Sequence, residues 1–432
     1  MRRATRLAAL IVAAVTMAGL LWSGRLDIAP AISAALDQTG RSAASAPSDW
    51  TGWRGARRDG AILGLNAPAA WPAQLTPRWK VNVGLGYASP LVVGNRVFQF
   101  SRVGENEVMT ALDAATGGVV WRTSYPASFQ MNNATSAHGP GPKSTPVYFD
   151  GKLFSIGMAG TVTAFDAATG KQLWQKAGGP AQPIFTSHAF SPIVDAGRVI
   201  FHVGGNNQGA LTAFDVETGD VRWSWTGDGP SYGSPVLVTI DGVRQLVTLT
   251  QTKLIGVDPA SGALLWERPF TNSSVTNAAT PIVEDHTVIV SNGGPVVAVT
   301  VARRAGQWVV EPAWENTEAP YRLSNTVATE DVLVGLSTRN SGQYFGVDIK
   351  TGKTLWTSEP RQAGNAAILK SGNIWFSLES DGELVVARSS RTSFDVVQRY
   401  KLSDAETWTQ PAFSGDRVFV KDVSVLSLWT WN

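Results

Sequence analysis

One eleven-residue pattern recurs five times along the chain and constrains its fold more than any other feature. An Asp, a Gly and a Trp keep fixed offsets in every copy. Repeats separated by roughly 40–50 residues are typical of β-propeller blades, which bury their faces against neighbouring blades. The copies are ALDAATGGVVW (111–121), AFDAATGKQLW (164–174), AFDVETGDVRW (213–223), GVDPASGALLW (256–266) and GVDIKTGKTLW (346–356).

Each repeat also contains a hairpin signal, in which two alternating apolar runs flank a short turn, as in SPLVVGNRVFQF at 89–100. A Pro precedes an apolar residue of the second run by seven positions. This spacing is seen in Pro90/Val97, Pro146/Leu153, Pro192/Val199, Pro281/Val288 and Pro411/Val418. Asn325/Val332 and Ala367/Ile374 keep it without Pro, and the hairpin at 234–249 has a longer turn. Eight hairpins therefore predict eight blades.

The eleven-residue pattern has a structural interpretation, which we favour over a binding role. The residues before Asp form a third strand, the TG pair forms a tight turn, and Trp begins a fourth strand. Asp can accept backbone N–H bonds, Gly supplies a positive φ, and the Trp ring fills space between wedge-shaped sheets. The positions are Asp113, Gly117, Trp121, Asp166, Gly170, Trp174, Asp215, Gly219, Trp223, Asp258, Gly262, Trp266, Asp348, Gly352 and Trp356.

The two ends of the repeat region complement one another. Trp79 lies eleven residues before Pro90, as Trp314 lies before Asn325, so it marks a fourth strand that no other strands of its blade precede. The final VSVLSLWTWN reads as a third strand with no fourth after it. We therefore predict an all-β fold, a single eight-bladed propeller of four-stranded antiparallel blades, closed by an N-terminal strand joining the last blade.

The fifth repeat is the least regular, because Trp308 and Trp314 both suit the docking position. The propeller is assigned to residues 50–432, with 50–76 as a lead-in segment. Within WRGARRDG of this segment, Arg54 and Asp59 are expected to pair and pin it to the propeller, with substrate binding as the alternative.

The first residues resemble a targeting segment. Three arginines, at positions 2, 3 and 6, precede the uncharged run 7–22, whose length suits either a signal peptide or a signal anchor. We assign 1–23 to one of these, leaving cleavage open, and 24–49 to a flexible linker. Either alternative predicts the periplasm or the exported side of a bacterial inner membrane, with membrane attachment only if the segment is retained.

Composition excludes several function classes. The chain of 432 residues has no Cys, so disulfides, thiolate catalysis and Cys-based metal sites are excluded. A net charge of +2 gives no strong attraction to nucleic acid, and none is expected as a partner.

The repeats resemble those of the PQQ-like β-propeller family, with its A-x-D-x-x-T-G-x-x-x-W signature, over roughly 79–432. The segment DWTGWRGARRDG (49–60) resembles the lead-in of exported proteins loosely labelled BamB-like or PQQ-like. Two branches share the signature: quinoprotein dehydrogenases, which hold pyrroloquinoline quinone, and BamB-like scaffolds of the cell envelope. Shared fold does not settle function.

The resemblance to the quinoprotein branch lacks that branch's chemical features. No Cys is available for the adjacent-cysteine disulfide found in many of those enzymes. Ca²⁺ requires several oxygen ligands, and the loops entering the channel contain few carboxylates. The lipidated Cys of BamB itself is also missing. The favoured expectation is a non-enzymatic scaffold without cofactor that binds an envelope protein or polymer. The alternative is an oxidoreductase with pyrroloquinoline quinone and Ca²⁺ in the channel.

A binding site, if present, is expected where fourth strands connect to the next first strands around the channel. Three such connections are long, and the two between Trp121 and Pro192 contain two of the four histidines. A metal site at this pair is disfavoured, because no third ligand accompanies them. The candidate channel-mouth residues are Tyr87, His138, Lys143, His188, Tyr232, Asn277, Arg322 and Asn365.

Overall fold

The computed structural model describes residues 49–177, 186–271 and 277–432. These residues form thirty-two β-strands in eight four-stranded antiparallel sheets, and two short 3₁₀ helices at Asn133–His138 and Arg339–Ser341. The targeting segment assigned to 1–23 and nearly all of the linker assigned to 24–49 lie outside the described residues. The all-β, eight-bladed propeller that the sequence predicts is confirmed.

Each of the first seven blades consists of four consecutive strands. Blade one contains β2 (Leu91–Val93), β3 (Arg96–Val103), β4 (Asn106–Asp113) and β5 (Val119–Pro126). Blade two contains β6 (Val147–Phe149), β7 (Lys152–Ile156), β8 (Val162–Asp166) and β9 (Gln172–Lys176). Blade three contains β10 (Ile193–Asp195), β11 (Arg198–Gly205), β12 (Gln208–Asp215) and β13 (Val221–Trp225). Blade four contains β14 (Val236–Ile240), β15 (Val243–Leu249), β16 (Lys253–Val257) and β17 (Leu264–Pro269).

The second half of the ring repeats this order. Blade five contains β18 (Ile282–Glu284), β19 (Thr287–Val290), β20 (Val296–Arg304) and β21 (Gln307–Asn316). Blade six contains β22 (Val327–Thr329), β23 (Val332–Ser337), β24 (Gln343–Asp348) and β25 (Thr354–Thr357). Blade seven contains β26 (Ala366–Ser371), β27 (Ile374–Glu379), β28 (Glu383–Ser389) and β29 (Phe394–Lys401). Blade eight contains β30 (Ala412–Ser414), β31 (Arg417–Lys421), β32 (Val425–Thr430) and β1 (Thr76–Asn82).

The eighth blade joins the two ends of the propeller. Its first three strands come from the C-terminal end of the chain, and β1 supplies the fourth by pairing antiparallel with β32. Trp79 lies opposite Leu428, and Val81 lies opposite Leu426. Because β1 occupies the outer position, β32 has no unpaired edge.

Each blade junction is built around one Trp and the turn of the next blade. The indole N–H of Trp79 in blade eight donates to the carbonyl of Ala114 in blade one, and that of Trp121 donates to Ala167 in blade two. A Cβ on Gly170 would lie 2.5 Å from the Trp121 ring, and φ there is +76°. Glycine is therefore required both for the turn conformation and for the close contact with the indole.

The Asp of each repeat stabilises the same turn through hydrogen bonds that its carboxylate accepts. One carboxylate oxygen of Asp113 accepts the backbone N–H of Ala115 and of Thr116, together with the Thr116 hydroxyl. These bonds satisfy backbone donors that have no partner in the strand ladder. The recurring pattern is thus a turn that receives the Trp of the preceding blade.

Blade five departs from this scheme. Its third and fourth strands continue into one long hairpin, and no Asp-Thr-Gly turn is present to receive Trp266. The Trp266 indole donates instead to the side chain of Gln245 in its own blade, at 2.6 Å. Of the two alternatives in this repeat, Trp314 takes the docking position: its indole donates to the Ile349 carbonyl in blade six.

A second set of junction bonds encircles the inner strands, at the end where each inner strand begins. Hydroxyl-bearing residues that precede the strand prolines accept backbone N–H bonds from the neighbouring blade. The Ser89 hydroxyl before blade one accepts a backbone N–H from blade eight, at 2.9 Å. In the same way Thr145 before blade two accepts from blade one, and Ser191 before blade three accepts from blade two, each at 3.0 Å. We call this end of the channel the mouth, and the opposite end, where first and second strands turn, the hairpin end.

Candidate functional site

The lead-in segment does not lie on the outside of the propeller but runs along the inner strands. Trp50 pairs with Val92 of blade one, and the carbonyl of Thr51 accepts the N–H of Tyr148 in blade two. At its far end the segment exchanges backbone hydrogen bonds with Lys370 of blade seven. Trp53 donates its indole N–H to Thr280 of blade five. Residues 50–62 therefore occupy the axis of the ring.

Tight turns allow the segment to fold into this space. Arg54 and Arg58 have φ of 60°, and Gly55 and Gly60 have φ of 84° and 80°. The N–H of Gly60 returns to the carbonyl of Arg54 at 3.1 Å. Non-glycine residues with positive φ are uncommon and require support from surrounding contacts. The glycines of WRGARRDG supply the turns, and the arginines supply the supporting contacts.

Two arginine side chains of the segment are buried at the axis. Arg58 donates to the carbonyls of Pro235, Pro192 and Ser191 at 2.7, 2.8 and 2.9 Å, which ties blades three and four to the segment. Arg54 is 0% exposed and donates to the carbonyl of Thr326 in blade six. Burial lowers the pKa of Arg54 to about 10 and, with repulsion from Arg54, the pKa of Arg58 to about 9.

The expected pairing of Arg54 with Asp59 takes a different form. Arg54 reaches the backbone carbonyl of Asp59 at 3.3 Å, whereas the Asp59 carboxylate lies 3.4 Å from Arg57. The carboxylate also accepts the N–H of Ala61. The Asp59 charge still raises the pKa of Arg54, but the hydrogen bonds that anchor the segment go to backbone carbonyls of the blades.

Three of the candidate mouth residues form one cluster. The Lys143 ammonium donates to the carbonyls of Gly139 and Gly141 and lies 5.7 Å from the centre of the Tyr87 ring. His138 lies at the edge of this group, where its ring meets Trp408 at a centroid distance of 5.0 Å. Burial lowers the pKa of Lys143 to about 8.

Trp408 and Lys421, which the sequence did not predict, extend this cluster from blade eight. The Lys421 ammonium is fully buried and donates to the carbonyls of Gly86 and Asp422, and burial lowers its pKa to about 7. Trp408 stands shortly before Pro411, in the same type of connection that contains Lys143 before Pro146. That equivalence was the available signal. We call Tyr87, His138, Lys143, Trp408 and Lys421 the mouth cluster.

The second candidate histidine lies elsewhere. His188 is buried against Gly160 and lies beside His202 rather than beside His138. Burial, followed by repulsion from the neighbouring imidazole, lowers the pKa of His188 to about 4. Burial likewise lowers the pKa of His202 to about 4. Both rings are therefore neutral at physiological pH.

The remaining candidates are held by structural hydrogen bonds. The Tyr232 hydroxyl accepts the N–H of Thr186, and the Asn277 amide donates to the carbonyls of Thr250 and Phe270. Asn365 accepts the hydroxyl of Ser324 at 2.8 Å. Arg322 lies near enough to Tyr232 to influence its pKa. A joint binding role for all eight candidates stays a prediction.

The side chains at the axis supply positive charge and hydrogen-bond donors. Ca²⁺ requires several oxygen ligands, but the inner-strand carbonyls of Ser191, Pro192, Pro235 and Thr326 already accept bonds from the two buried arginines. The axial residues therefore do not fit a calcium-bound quinone.

Across 49–177, 186–271 and 277–432, no three His, Cys, Asp or Glu side chains are grouped as metal ligands. No helix in those same ranges has the length and apolar character needed to cross a membrane.

Comparison with known proteins reveals two kinds of relative. The outer membrane protein assembly factor BamB of Burkholderia pseudomallei is 26% identical over 67% of this chain and 84% of its own length. The dehydrogenase subunit of the quinone alcohol dehydrogenase of Komagataeibacter europaeus is 34% identical, but over 27% of this chain and 16% of its own length. A solved europium-containing methanol dehydrogenase shares the fold, with a TM-score of 0.66 at 14% identity, over 89% of this chain and 98% of that one.

The family match covers more than half of the chain. It extends over residues 104–358, from the middle of blade one into the end of blade six, and the family is described as outer membrane protein assembly factor BamB. This chain belongs to the BamB family of β-propeller proteins.

Proposed function

We propose that this chain is a non-enzymatic scaffold or binding module of the bacterial cell envelope. Membership of the BamB family supports this proposal, and the relative from Burkholderia pseudomallei is named as an assembly factor rather than as an enzyme. The observation that carries the proposal is the lead-in segment at the axis. A propeller whose axis is filled by its own chain offers its rim and outer surfaces to partners.

The mouth cluster is the surface best suited to a partner. Its half-buried side chains are those of Trp408, His138 and Lys143, whereas Tyr87 and Lys421 are buried. Aromatic rings with polar edges give a large contact area at low entropic cost, and they are enriched in protein interfaces. We therefore assign the partner to an envelope protein or polymer that contacts this cluster, with a protein as the first expectation.

Site-specific photo-crosslinking in the native host tests this assignment. A crosslinking amino acid at Trp408 is compared with one at Asn95, which is exposed at a hairpin-end turn of blade one. We expect one discrete envelope species to be captured from position 408 and not from position 95. His138→Ala in the Trp408 variant should weaken that capture. Identical products from both positions would contradict the assignment.

The alternative function is that of an oxidoreductase dependent on pyrroloquinoline quinone. It is favoured by the partial match to the quinone alcohol dehydrogenase, which covers 124 residues. Purification from a host supplied with the quinone and Ca²⁺, followed by an absorbance spectrum and a dye-linked oxidation assay, separates the two functions. We expect no stoichiometric quinone and no turnover. A bound quinone that His138→Ala or Lys143→Ala releases would establish the alternative.

A further inference from the structure

The arginine side chains at the axis have more hydrogen-bond donors than there are acceptors for them among the described residues. The Nε and Nη1 groups of Arg54 have no hydrogen-bond partner among residues 49–177, 186–271 and 277–432, although the side chain is 0% exposed. A buried donor without an acceptor is costly, and more so when the group carries a charge. Arg58, by contrast, donates from each of its three nitrogens to a carbonyl. Of the two buried arginines at the axis, it is Arg54 that has nitrogens without an acceptor among the described residues.

Two buried hydroxyls, of Tyr321 and Thr326, lie beside Arg54. Arg54 donates to the backbone carbonyl of Thr326, and Tyr321 is close enough for its pKa to respond to Arg54 and to the Thr326 side chain. The two buried hydroxyls, Tyr321 Oη and Thr326 Oγ1, lie close enough to interact with each other, and neither has another hydrogen-bond partner in the described part of the chain. Because one hydroxyl of such a pair donates to the other, the pair has one hydroxyl hydrogen left to donate. Buried polar groups are otherwise almost always satisfied. Arg54 and the Tyr321–Thr326 hydroxyl pair therefore have hydrogen-bond donors that no described acceptor meets.

The charge around these donors is positive. Arg54, Arg57, Arg58 and Lys370 are the cations of this region, and Asp59 and Glu284 are the carboxylates that act on them. Asp59 already contacts Arg57, and Arg58 has carbonyl partners but no carboxylate. Two guanidinium groups are therefore buried with less than full compensation. A water molecule would satisfy the hydrogen bonds but would leave the charge uncompensated, whereas an anion addresses both.

We propose that a small inorganic anion of the size of chloride binds at the propeller axis, held by the guanidinium of Arg54 and the hydroxyls of Tyr321 and Thr326. The ligand is small because all three side chains are buried. It joins the lead-in segment to the start of the inner strand of blade six, just below the mouth. The anion thereby acts as a structural ligand that fixes the segment in the channel.

Thermal unfolding at constant ionic strength measures this site. Chloride replaces gluconate, which is too large to enter, while the cation and total salt stay fixed. We expect the midpoint to rise by about 1–2 °C for each tenfold increase in chloride above the dissociation constant. The bromide form should show one anomalous diffraction peak between Arg54 and Tyr321. A midpoint independent of chloride, or no halide peak there, would overturn the proposal.

Tyr321→Phe separates an anion from an empty or water-filled site. If the Tyr321 hydroxyl interacts only with Thr326, removing it should change stability by the same amount in chloride and in gluconate. Removing a hydroxyl that binds the anion should lower stability in chloride, and the difference from the native protein should shrink in gluconate. We expect the second pattern. The first pattern would show that Tyr321 binds no anion.

Two arginine variants complete the test. Arg54→Met should abolish the chloride dependence, and Arg57→Met is the matched control because Arg57 lies on the same segment but is exposed and contacts Asp59. Should Arg54→Met fail to fold, Arg54→Lys keeps the charge with fewer directed donors. It should bind chloride at least tenfold more weakly. Equal chloride dependence in Arg54→Lys and the native protein would refute the assignment of this guanidinium.

Discussion

At each regular blade junction three residues act on a single turn. An Asp carboxylate satisfies the turn donors, a Gly permits the positive φ, and the Trp of the preceding blade covers the Gly and caps a carbonyl. Gly170 illustrates the arrangement, because the ring of Trp121 lies against its Cα and the hydroxyl of Thr123 donates to its carbonyl. The small size of glycine is therefore as important as its backbone freedom.

Gly170→Ala tests the contribution of size. The added Cβ would lie 2.5 Å from the Trp121 ring, and we expect a loss of about 2–4 kcal/mol in unfolding free energy. Gly151→Ala is the matched control, since its φ of +74° is nearly the same and nothing lies within 4 Å of the added Cβ. It should cost about 1–2 kcal/mol from the backbone alone. Denaturant unfolding of both variants gives the difference, and equal costs would contradict the contact described for the indole.

Glu379 is a buried carboxyl that should make stability depend on pH. It lies at the end of β27, accepts the Tyr344 hydroxyl at 2.7 Å and lies 3.6 Å from Arg399. Burial outweighs these partners and raises the pKa of Glu379 to about 7. A raised carboxyl pKa means that the folded state binds the proton more tightly, so stability is highest below the unfolded pKa and falls as pH rises through about 7.

The size of this effect follows from the same shift. Between pH 5 and pH 8 the Glu379 contribution should fall by about 2 kcal/mol. Glu379→Gln cannot titrate, so its unfolding free energy should decline less over that interval than that of the native protein. Parallel pH profiles of the two proteins, measured by denaturant unfolding, would show that the carboxyl is ionised in the folded state throughout.

The role of the lead-in segment cannot be inferred from the repeats, because the segment lies outside them. It exchanges backbone hydrogen bonds with inner strands of several blades, including the N–H of Val92, Tyr148 and Lys370. Deleting residues 49–62 should remove hydrogen-exchange protection from these three amides. The ladder between β30 and β31 makes no such bond to the deleted residues and should stay protected. Unchanged exchange at Tyr148 and Lys370 would place the segment elsewhere in solution.

The strands were predictable because the residues that form them repeat. Pro, Asp, Gly and Trp recur at fixed spacing, and each has a local physical reason to do so. The path of the lead-in segment was not predictable in this way, because Arg58 recognises the backbone carbonyls of Ser191, Pro192 and Pro235, which any residue type could supply. The mouth cluster was found in part: Tyr87, His138 and Lys143 stand before inner strands of blades one and two, whereas Lys421 lies within β31 and carries no such signal.

At the scale of the whole molecule, the ring depends on the pairing of its two ends. Deleting residues 1–84 removes β1 and leaves β32 with an unpaired edge. We expect this variant to aggregate and to unfold at a lower temperature. Deleting residues 1–48 is the matched control, since it keeps every contact described above. Size-exclusion chromatography and thermal unfolding compare the two, and a soluble, equally stable 1–84 deletion would contradict closure by β1.

The same closure sets an order of events during biosynthesis. β1 pairs with β32, which is made some 350 residues later. At roughly 5–20 residues per second, β1 waits about 20–70 s for β32. The carbonyls that bind Arg58 and Arg54 are made earlier, 133–177 and 272 residues after those arginines, whereas Trp79 has only the turn of blade one to cover until β32 is made. The ring therefore cannot close until β32 has been made, and the vulnerable period scales with the time taken to make the other seven blades.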